Sequence, residues 1–371
     1  MPDCAHCGGA AVLRRPKGGD LVGLGGGPDA APAAVVRIPT SPPLLQHCKP
    51  CFYAALEAEV HDTIVRHALF ARGDRVAVAA SGGKDSTVLA SMLATLNQRH
   101  DYGLDLFLLS IDEGIAGYRD DSLATVHRNS SQYGMPLTVL SYADLYKGWT
   151  VDAVAKATGT GSNCTFCGVL RRQALDRGAA LTRADVIATG HNADDVAETV
   201  LLNLVRGDAA RLARCGCATT GQRAADRAER RGHGDAPTPP STTATVPRVK
   251  PFLVTYEKEI VLYAHHKRLD YFSTECVYAP FAARGAPRDL VKDLEALDPA
   301  AVAALVRTAE GLVAAGTVPA TAAGACATCG AMASGDVCKA CELVAGLELM
   351  GGGAGVRLGG RRRGVPLAFE E

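Results

Sequence analysis

The stretch "VAVAASGGKDSTVLA" at residues 76–90 constrains the chain most. A short apolar run enters a Ser-Gly-Gly-Lys turn, and a new apolar pattern of helical period leaves it. Strand, glycine turn and helix in that order form a phosphate-binding loop: glycines admit backbone N–H groups close to an anion, and the helix start adds its positive end. The loop is not G-x-x-x-x-G-K-[ST]. Val78 stands where the first glycine belongs, and Asp85 follows Lys84 where a magnesium-binding hydroxyl belongs. That argues against γ-phosphate hydrolysis. What remains is S-G-G-x-D-S, Ser81-Gly82-Gly83-Lys84-Asp85-Ser86, in which Asp85 would repel phosphates unless it holds Mg2+ or a water.

The flanking pattern extends this unit. Strands are expected at 75–80, up to Asp112, at 136–141 and around 184–190. Helices are expected at 54–70, 83–98, 118–133, 192–206, 256–268 and 287–315. Alternation of this kind gives a parallel sheet covered on both faces, with ligand at the carboxyl ends of the strands. A second block, "ATGHNADDVAET", puts Gly190, His191, Asn192, Asp194 and Asp195 at a strand-to-helix junction. Gly190 would admit the nucleotide. The carboxylates suit Mg2+ or a helix start.

Cysteine is the unusual component, with 13 in 371 residues. Ten fall in C-x-x-C pairs, and in a chain with a sizeable core these read as metal ligands and not as disulfides. Cys326, Cys329, Cys338 and Cys341 form a compact knuckle pair with tetrahedral zinc spacing. Cys4, Cys7, Cys48 and Cys51 form a second zinc set across a Gly/Pro-rich loop, a length that costs little additional entropy. His6 and His47 are expected to be solvent-exposed neighbours. Cys164 and Cys167 open an expected helix beside Arg171 and Arg172, an arrangement that lowers a thiol pKa. Cys276 follows an expected short strand in "YFSTECVYAP". Three thiolates leave one iron of a cubane open to exogenous sulfide; the alternative is persulfide chemistry with one cysteine resolving another. Cys215 and Cys217 lie in the polar stretch 208–246, expected to be a disordered insertion, and read as bystanders.

Lys+Arg and Asp+Glu both total 39, so any nucleic-acid partner must use a local patch. "KRLDYF" (267–272) and the tail "RLGGRRRG" supply such charge. No apolar run reaches membrane-spanning length, and the first residues lack a secretory signal pattern.

The loop, the G-H-N-x-D-D block, C-x-x-C-G-V-x-R-R and the E-C-x-Y cysteine together resemble the tRNA 2-thiolation branch of the PP-loop ATP pyrophosphatases, in its archaeal and eukaryotic form. The resemblance covers roughly residues 50–315. It implies a PP-loop (adenine nucleotide alpha hydrolase-like) α/β fold with zinc ribbons at both ends. The expected units are an N-terminal ribbon (1–53), a catalytic domain (54–315), a C-terminal ribbon (316–345) and a Gly/Arg tail (346–371). The implied ATP site is Ala79, Ala80, Ser81, Gly82, Gly83, Lys84, Asp85, Ser86, Arg171, Gly190 and Asp195. Asp85, Asp195, Cys164 and Cys276 would be catalytic, with Cys164, Cys167 and Cys276 as ligands of a [4Fe-4S] cluster. The implied reaction is adenylation of the wobble uridine at its C2 oxygen and replacement of that oxygen by sulfur, in tRNAs for Lys, Glu and Gln. The implied partners are tRNA, a ubiquitin-like sulfur carrier and a second, non-catalytic subunit in a cytoplasmic heterodimer. A 2-thiocytidine synthase lacks two terminal ribbons and a lysidine synthetase needs no remote cysteine. A zinc-ribbon RNA adaptor with a dead nucleotide fold would be expected to show degenerate loops.

Overall fold

The computed structural model describes residues 3–15, 45–159, 163–220, 246–282, 284–314, 324–333 and 335–351. The long Gly/Pro loop, most of the polar insertion and the Arg-rich tail lie outside them.

Strands β1 (Leu13–Arg15) and β2 (Leu45–His47) pair antiparallel in the N-terminal ribbon. Helix α1 (Lys49–Arg66) follows directly, so the expected junction at 53/54 falls inside a helix. Then come β3 (Arg75–Ala79), α2 (Lys84–His100), β4 (Asp105–Asp112), α3 (Arg119–Tyr133) and β5 (Leu137–Ser141). After α4 (Tyr142–Leu145) and α5 (Val151–Thr158), helix α6 (Asn163–Leu181) leads into β6 (Val186–Ala188) and α7 (Ala193–Val205). Helix α8 (Ala209–Cys215) precedes β7 (Thr219–Thr220) and β8 (Arg248–Val249). Helices Glu257–Lys267, Gly285–Leu297 and Ala301–Ala314 come next. The C-terminal ribbon, β9 (Gly324–Ala325) and β10 (Met332–Ala333), ends in helix Lys339–Gly351.

The main sheet runs β5-β4-β3-β6-β8-β7, parallel except for β7. From β3 the chain builds outward through β4 and β5, then returns to β6 on the other side of β3. The loops after β3 and β6 therefore diverge, which makes a ligand crevice at the carboxyl ends of the strands. Alternation along the strands splits the core in two. Val76, Val78 and Leu108 face α1, α2 and α7, whereas Ala77, Phe107 and Leu109 face α6 and the C-terminal ribbon.

Three expectations change. Part of the stretch expected to be disordered is ordered: α8 and β7 occupy 209–220, and Cys215 is buried in the main core. Its apolar Leu212, Cys215 and Ala218 anchor a segment whose composition reads as polar. The expected helix 287–315 is two helices, because Pro299 disfavours helical backbone at Asp298 (φ −139°, ψ 107°). Residues 271–276 form no strand; Phe272 N donates instead to the Gly82 carbonyl, 2.8 Å away, which ties this segment to the glycine loop.

Candidate active site and metal centres

The glycine loop is held open from several directions. Gly82 has φ +75°, and a Cβ there would come within 2.6 Å of the Ser122 carbonyl oxygen. The Ser122 hydroxyl donates to the Ser81 carbonyl at 2.8 Å. Ser86 Oγ donates to the Gly83 carbonyl at 2.9 Å and accepts from Ser81 N at 3.2 Å. Gly83 caps α2 without any side-chain hydrogen bond, so the N-terminal N–H groups of α2 are left to a ligand.

A cleft of about 300 Å³ opens here. Ala79, Ala80, Ser81, Asp85 and Ser86 line it from the loop, and Arg171, Gly190 and Asp195 from elsewhere. Eight expected ATP-site residues thus meet at one cleft. Gly82, Gly83 and Lys84 do not line it. The Lys84 ammonium sits 3.2 Å from Asp85 and 2.8 Å from Glu257. Burial opposes its charge, yet the two carboxylates push its pKa up. Gly190 acts differently from expectation: a Cβ there would lie 3.0 Å from the Asp85 carbonyl carbon and 3.2 Å from Ser86 N. The glycine admits the neighbouring loop.

The adjacent aspartates face different partners. Asp194 is buried, binds Lys292 at 2.7 Å and accepts from Glu257 N at 2.7 Å. Asp195 lines the cleft and completes a capping box with Asn192. Burial pushes the Asp85 pKa up; Lys84 opposes the rise and Asp195 adds to it. Two carboxylates at one cleft with such a bias fit a divalent cation.

Residues that sequence reasoning left out of the site are Leu109, Ile111, Glu113, Leu175 and Thr189; His191, named in the second block without a role, also lines it. Glu113 follows the carboxyl end of β4, a position the parallel-sheet rule marks as site-forming. It ion-pairs with Arg171 at 2.8 Å. Arg171 in turn donates to Cys167 Sγ at 3.4 Å, which puts a cation between cleft and thiols. Glu113 drives the Arg171 pKa up despite burial.

The three remote cysteines converge at the start of α6. Cys164 Sγ donates to the Tyr278 carbonyl at 3.3 Å, two residues past Cys276. Burial raises the Cys164 pKa, and the Cys276 thiol adds to the rise. Burial also raises Cys167, more than Arg171 lowers it. Instead of the expected pKa depression, burial outweighs Arg171 at both thiols, and Arg171 is also paired with Glu113.

The terminal sets are tighter. In each, four ligand atoms lie within 4.8 Å of one another; among the described residues no other such group occurs. Sγ–Sγ separations of 3.6 Å occur for Cys7–Cys48 and Cys329–Cys338. A disulfide is about 2.05 Å, whereas four sulfurs about 2.3 Å from one zinc stand about 3.8 Å apart. The sets fit a tetrahedral ion. Cys164, Cys167 and Cys276 are not gathered to that closeness. Cys4 and Cys326 have pKa values lowered to about 6. Backbone hydrogen bonds at Cys48 lead the lowering at Cys4; at Cys326 burial pushes up, and backbone hydrogen bonds at Cys338, Cys329 and Thr328 together bring the pKa down. His47, expected to be exposed, is buried. Cys217 lies beside β7, its carbonyl accepting from Lys250 at 2.9 Å.

The PP-loop domain family matches residues 53–288. The chain is 56% identical over 326 residues to the cytoplasmic tRNA 2-thiolation protein 1 of Chlamydomonas reinhardtii, covering 85% of each chain. It is 52% identical to that of Drosophila grimshawi, covering 94% of this chain and 89% of the relative. Among solved structures, the U34-tRNA thiolase NcsA of Methanococcus maripaludis with its [4Fe-4S] cluster aligns with TM-score 0.62 and 27% identity. The alignment covers 84% of this chain and 88% of that one. A glycine loop and cysteine-bearing helix meeting at one cleft, on a fold shared over most of its length, place this chain in the cytoplasmic tRNA 2-thiolation protein 1 family of PP-loop proteins.

Proposed function

We propose that this chain is an ATP-dependent tRNA sulfurtransferase of the cytoplasm that converts the wobble uridine, U34, to 2-thiouridine. One observation carries the reading: helix α6 presents Arg171 to the nucleotide cleft and Cys164 and Cys167 beside it, so activation and sulfur transfer share a wall. ATP occupies the cleft, its phosphates on the glycine loop and the start of α2. Asp85 and Asp195, which line the cleft beside that loop, would hold Mg2+, which when bound would offset phosphate charge. The uridine C2 oxygen attacks the α-phosphorus and pyrophosphate leaves. Arg171 offsets charge developing there. Sulfur then adds at C2 and AMP departs. Cys164, Cys167 and Cys276 would hold a [4Fe-4S] cluster, which when bound supplies an iron open to sulfide. The two terminal sets hold zinc. A ubiquitin-like thiocarboxylate supplies sulfur and a second, non-catalytic subunit completes the enzyme, as the resemblance implies. The substrates are tRNAs for Lys, Glu and Gln.

Mass spectrometry of tRNA from cells lacking the chain tests the reading. Loss of 2-thiouridine at U34, restored by the wild-type chain and not by Cys164→Ala, is the expected result. Unchanged 2-thiouridine overturns it. Iron-free yet active protein, purified anaerobically, would replace the cluster by persulfide chemistry.

A further inference from the structure

Helix α6 has two working faces. Cys164, Cys167, Arg171 and Leu175 recur at helical spacing and form the stripe toward the cleft. About half a turn away, Phe166, Leu170 and Gln173 form a second stripe. Phe166, between the two cysteines in sequence, packs against Leu343 and Leu347 of the C-terminal ribbon's helix. Leu170 belongs to the core cluster that holds Cys326 and Cys338. Gln173 ends the stripe. It is 6% exposed, and its side-chain nitrogen lies 3.1 Å from Cys329 Sγ, 3.4 Å from Cys338 Sγ and 3.6 Å from Cys341 Sγ. Metal-bound thiolates only accept hydrogen bonds, so the amide must turn its N–H groups to them. Its carbonyl oxygen has no partner among the described residues. A buried amide that leaves its oxygen unsatisfied is held by what its nitrogen gains.

We propose that Gln173 is a positioning residue that couples the C-terminal four-cysteine site to the sulfur-handling end of α6. The metal site then acts as a rigid buttress, and its occupancy sets where Cys164 and Cys167 stand. This rests on reading Cys326, Cys329, Cys338 and Cys341 as a metal site. Gln173 shares its two N–H groups among three of the four sulfurs and lowers their charge, and the ribbon's helix clamps Phe166. Partners beyond the ligands of this kind typically hold metal affinity up about 10–100-fold.

The test uses the full chain with Cd2+ in its four-sulfur sites, read by cadmium NMR. Wild type should give one resonance per site. Gln173→Leu should shift one and leave the other, and a chelator should remove that ion at least about tenfold faster. Gln173→Glu, of the same shape but with a carboxylate facing thiolates, should lose the ion faster still. In both variants, amide hydrogen exchange should quicken across 163–170. The catalytic readout is lowered kcat with KM for ATP unchanged, since Gln173 lies off the cleft. If both wild-type resonances appear and neither moves in Gln173→Leu, the coupling is wrong while the metal sites stand. If Gln173→Glu holds Cd2+ like wild type, the coupling is likewise wrong. Absence of any four-sulfur resonance in wild type overturns the metal reading itself and the proposal with it.

Discussion

Asp194 and Asp195 share a dipeptide and divide two tasks. Asp194 is buried against Lys292, which is part-exposed and also pairs with Glu257, so Asp194→Asn weakens one charged hydrogen bond and should cost about 1.5–3 kcal/mol of stability. Urea unfolding measures this, and ATP binding by the folded fraction should persist. Asp195→Asn should keep most of the fold, losing about 1 kcal/mol from the altered helix cap, while tRNA thiolation falls at least about a hundredfold if Asp195 holds the proposed cation. Equal stability losses with equal activities would refute this division. Their adjacency in G-H-N-x-D-D made the pair legible; which one faces the cleft depends on where helix Gly285–Leu297 packs, about a hundred residues on. Glu257 shows the same limit. It holds Lys84 at 2.8 Å and Lys292 at 3.0 Å. Burial opposes its charge, but the two lysines hold its pKa down from 4.5 to about 2. A depression of that size corresponds to roughly 3 kcal/mol, and solvent screening at this part-exposed group reduces it to about 1–2 kcal/mol. The depressed carboxylate stabilises above its unfolded pKa and loses that contribution as pH falls through the folded one. Wild type should therefore exceed Glu257→Gln by about 1–2 kcal/mol at pH about 6, with the gap closing between pH about 4.5 and about 2. A gap unchanged at pH about 3 would assign the loss to shape and not to charge.

Among the elements, α2 and α6 were legible for opposite reasons. The start of α2 is contiguous with the strand and glycines that create its function, so one local pattern specifies it. Cys164, Cys167 and Arg171 fall on one helical stripe by spacing alone. The opposite stripe, Phe166, Leu170 and Gln173, has partners beyond residue 325 that no local pattern reveals. Two-residue strands β7 and β8 carry too few residues for a period and exist through pairing with each other and β6. The break at Pro299 was missed in the expected helix 287–315, although the residue before proline tends to leave the helical region. The weight carried by the hidden stripe is measurable. Phe166→Ala removes a buried ring from Val154, Leu343 and Leu347 and should cost about 3–5 kcal/mol. Its effect should concentrate in α6 and the C-terminal ribbon, with hydrogen exchange faster there than in the slowest amides of β3 and β4. Uniform acceleration would mean that the ribbon does not hold α6 as an independent brace.

Across the whole molecule, the metal sets are keyed into the body that holds the cleft. Leu13 of β1 enters the main core beside Phe52 and Leu56. Arg15, two residues on along the same face, reaches Glu259 at 2.7 Å and Glu59 at 2.9 Å, all three largely buried. Glu259 also accepts from Tyr256 N at 3.0 Å, at the start of a core helix. At the other end of the chain, Phe166 of α6 packs in a buried cluster with Leu343 and Leu347 of the C-terminal helix. A ribbon attached in this way transmits its stability to the catalytic body. Arg15→Leu removes the cation that faces two carboxylates in a low-dielectric site, a change worth about 3–5 kcal/mol. The loss should appear in the unfolding of the whole chain as one transition at lower urea, with unchanged slope. Adding Glu259→Gln to Arg15→Leu should recover part of it, because the second change removes one of the two carboxylates that Arg15 had held together. The same coupling predicts that chelating metal from the Cys4 set lowers the urea midpoint of the β3–β4 core, read by hydrogen exchange. Two separate transitions, with the core unmoved by chelation or by Arg15→Leu, would instead make the N-terminal ribbon an independent module on α1.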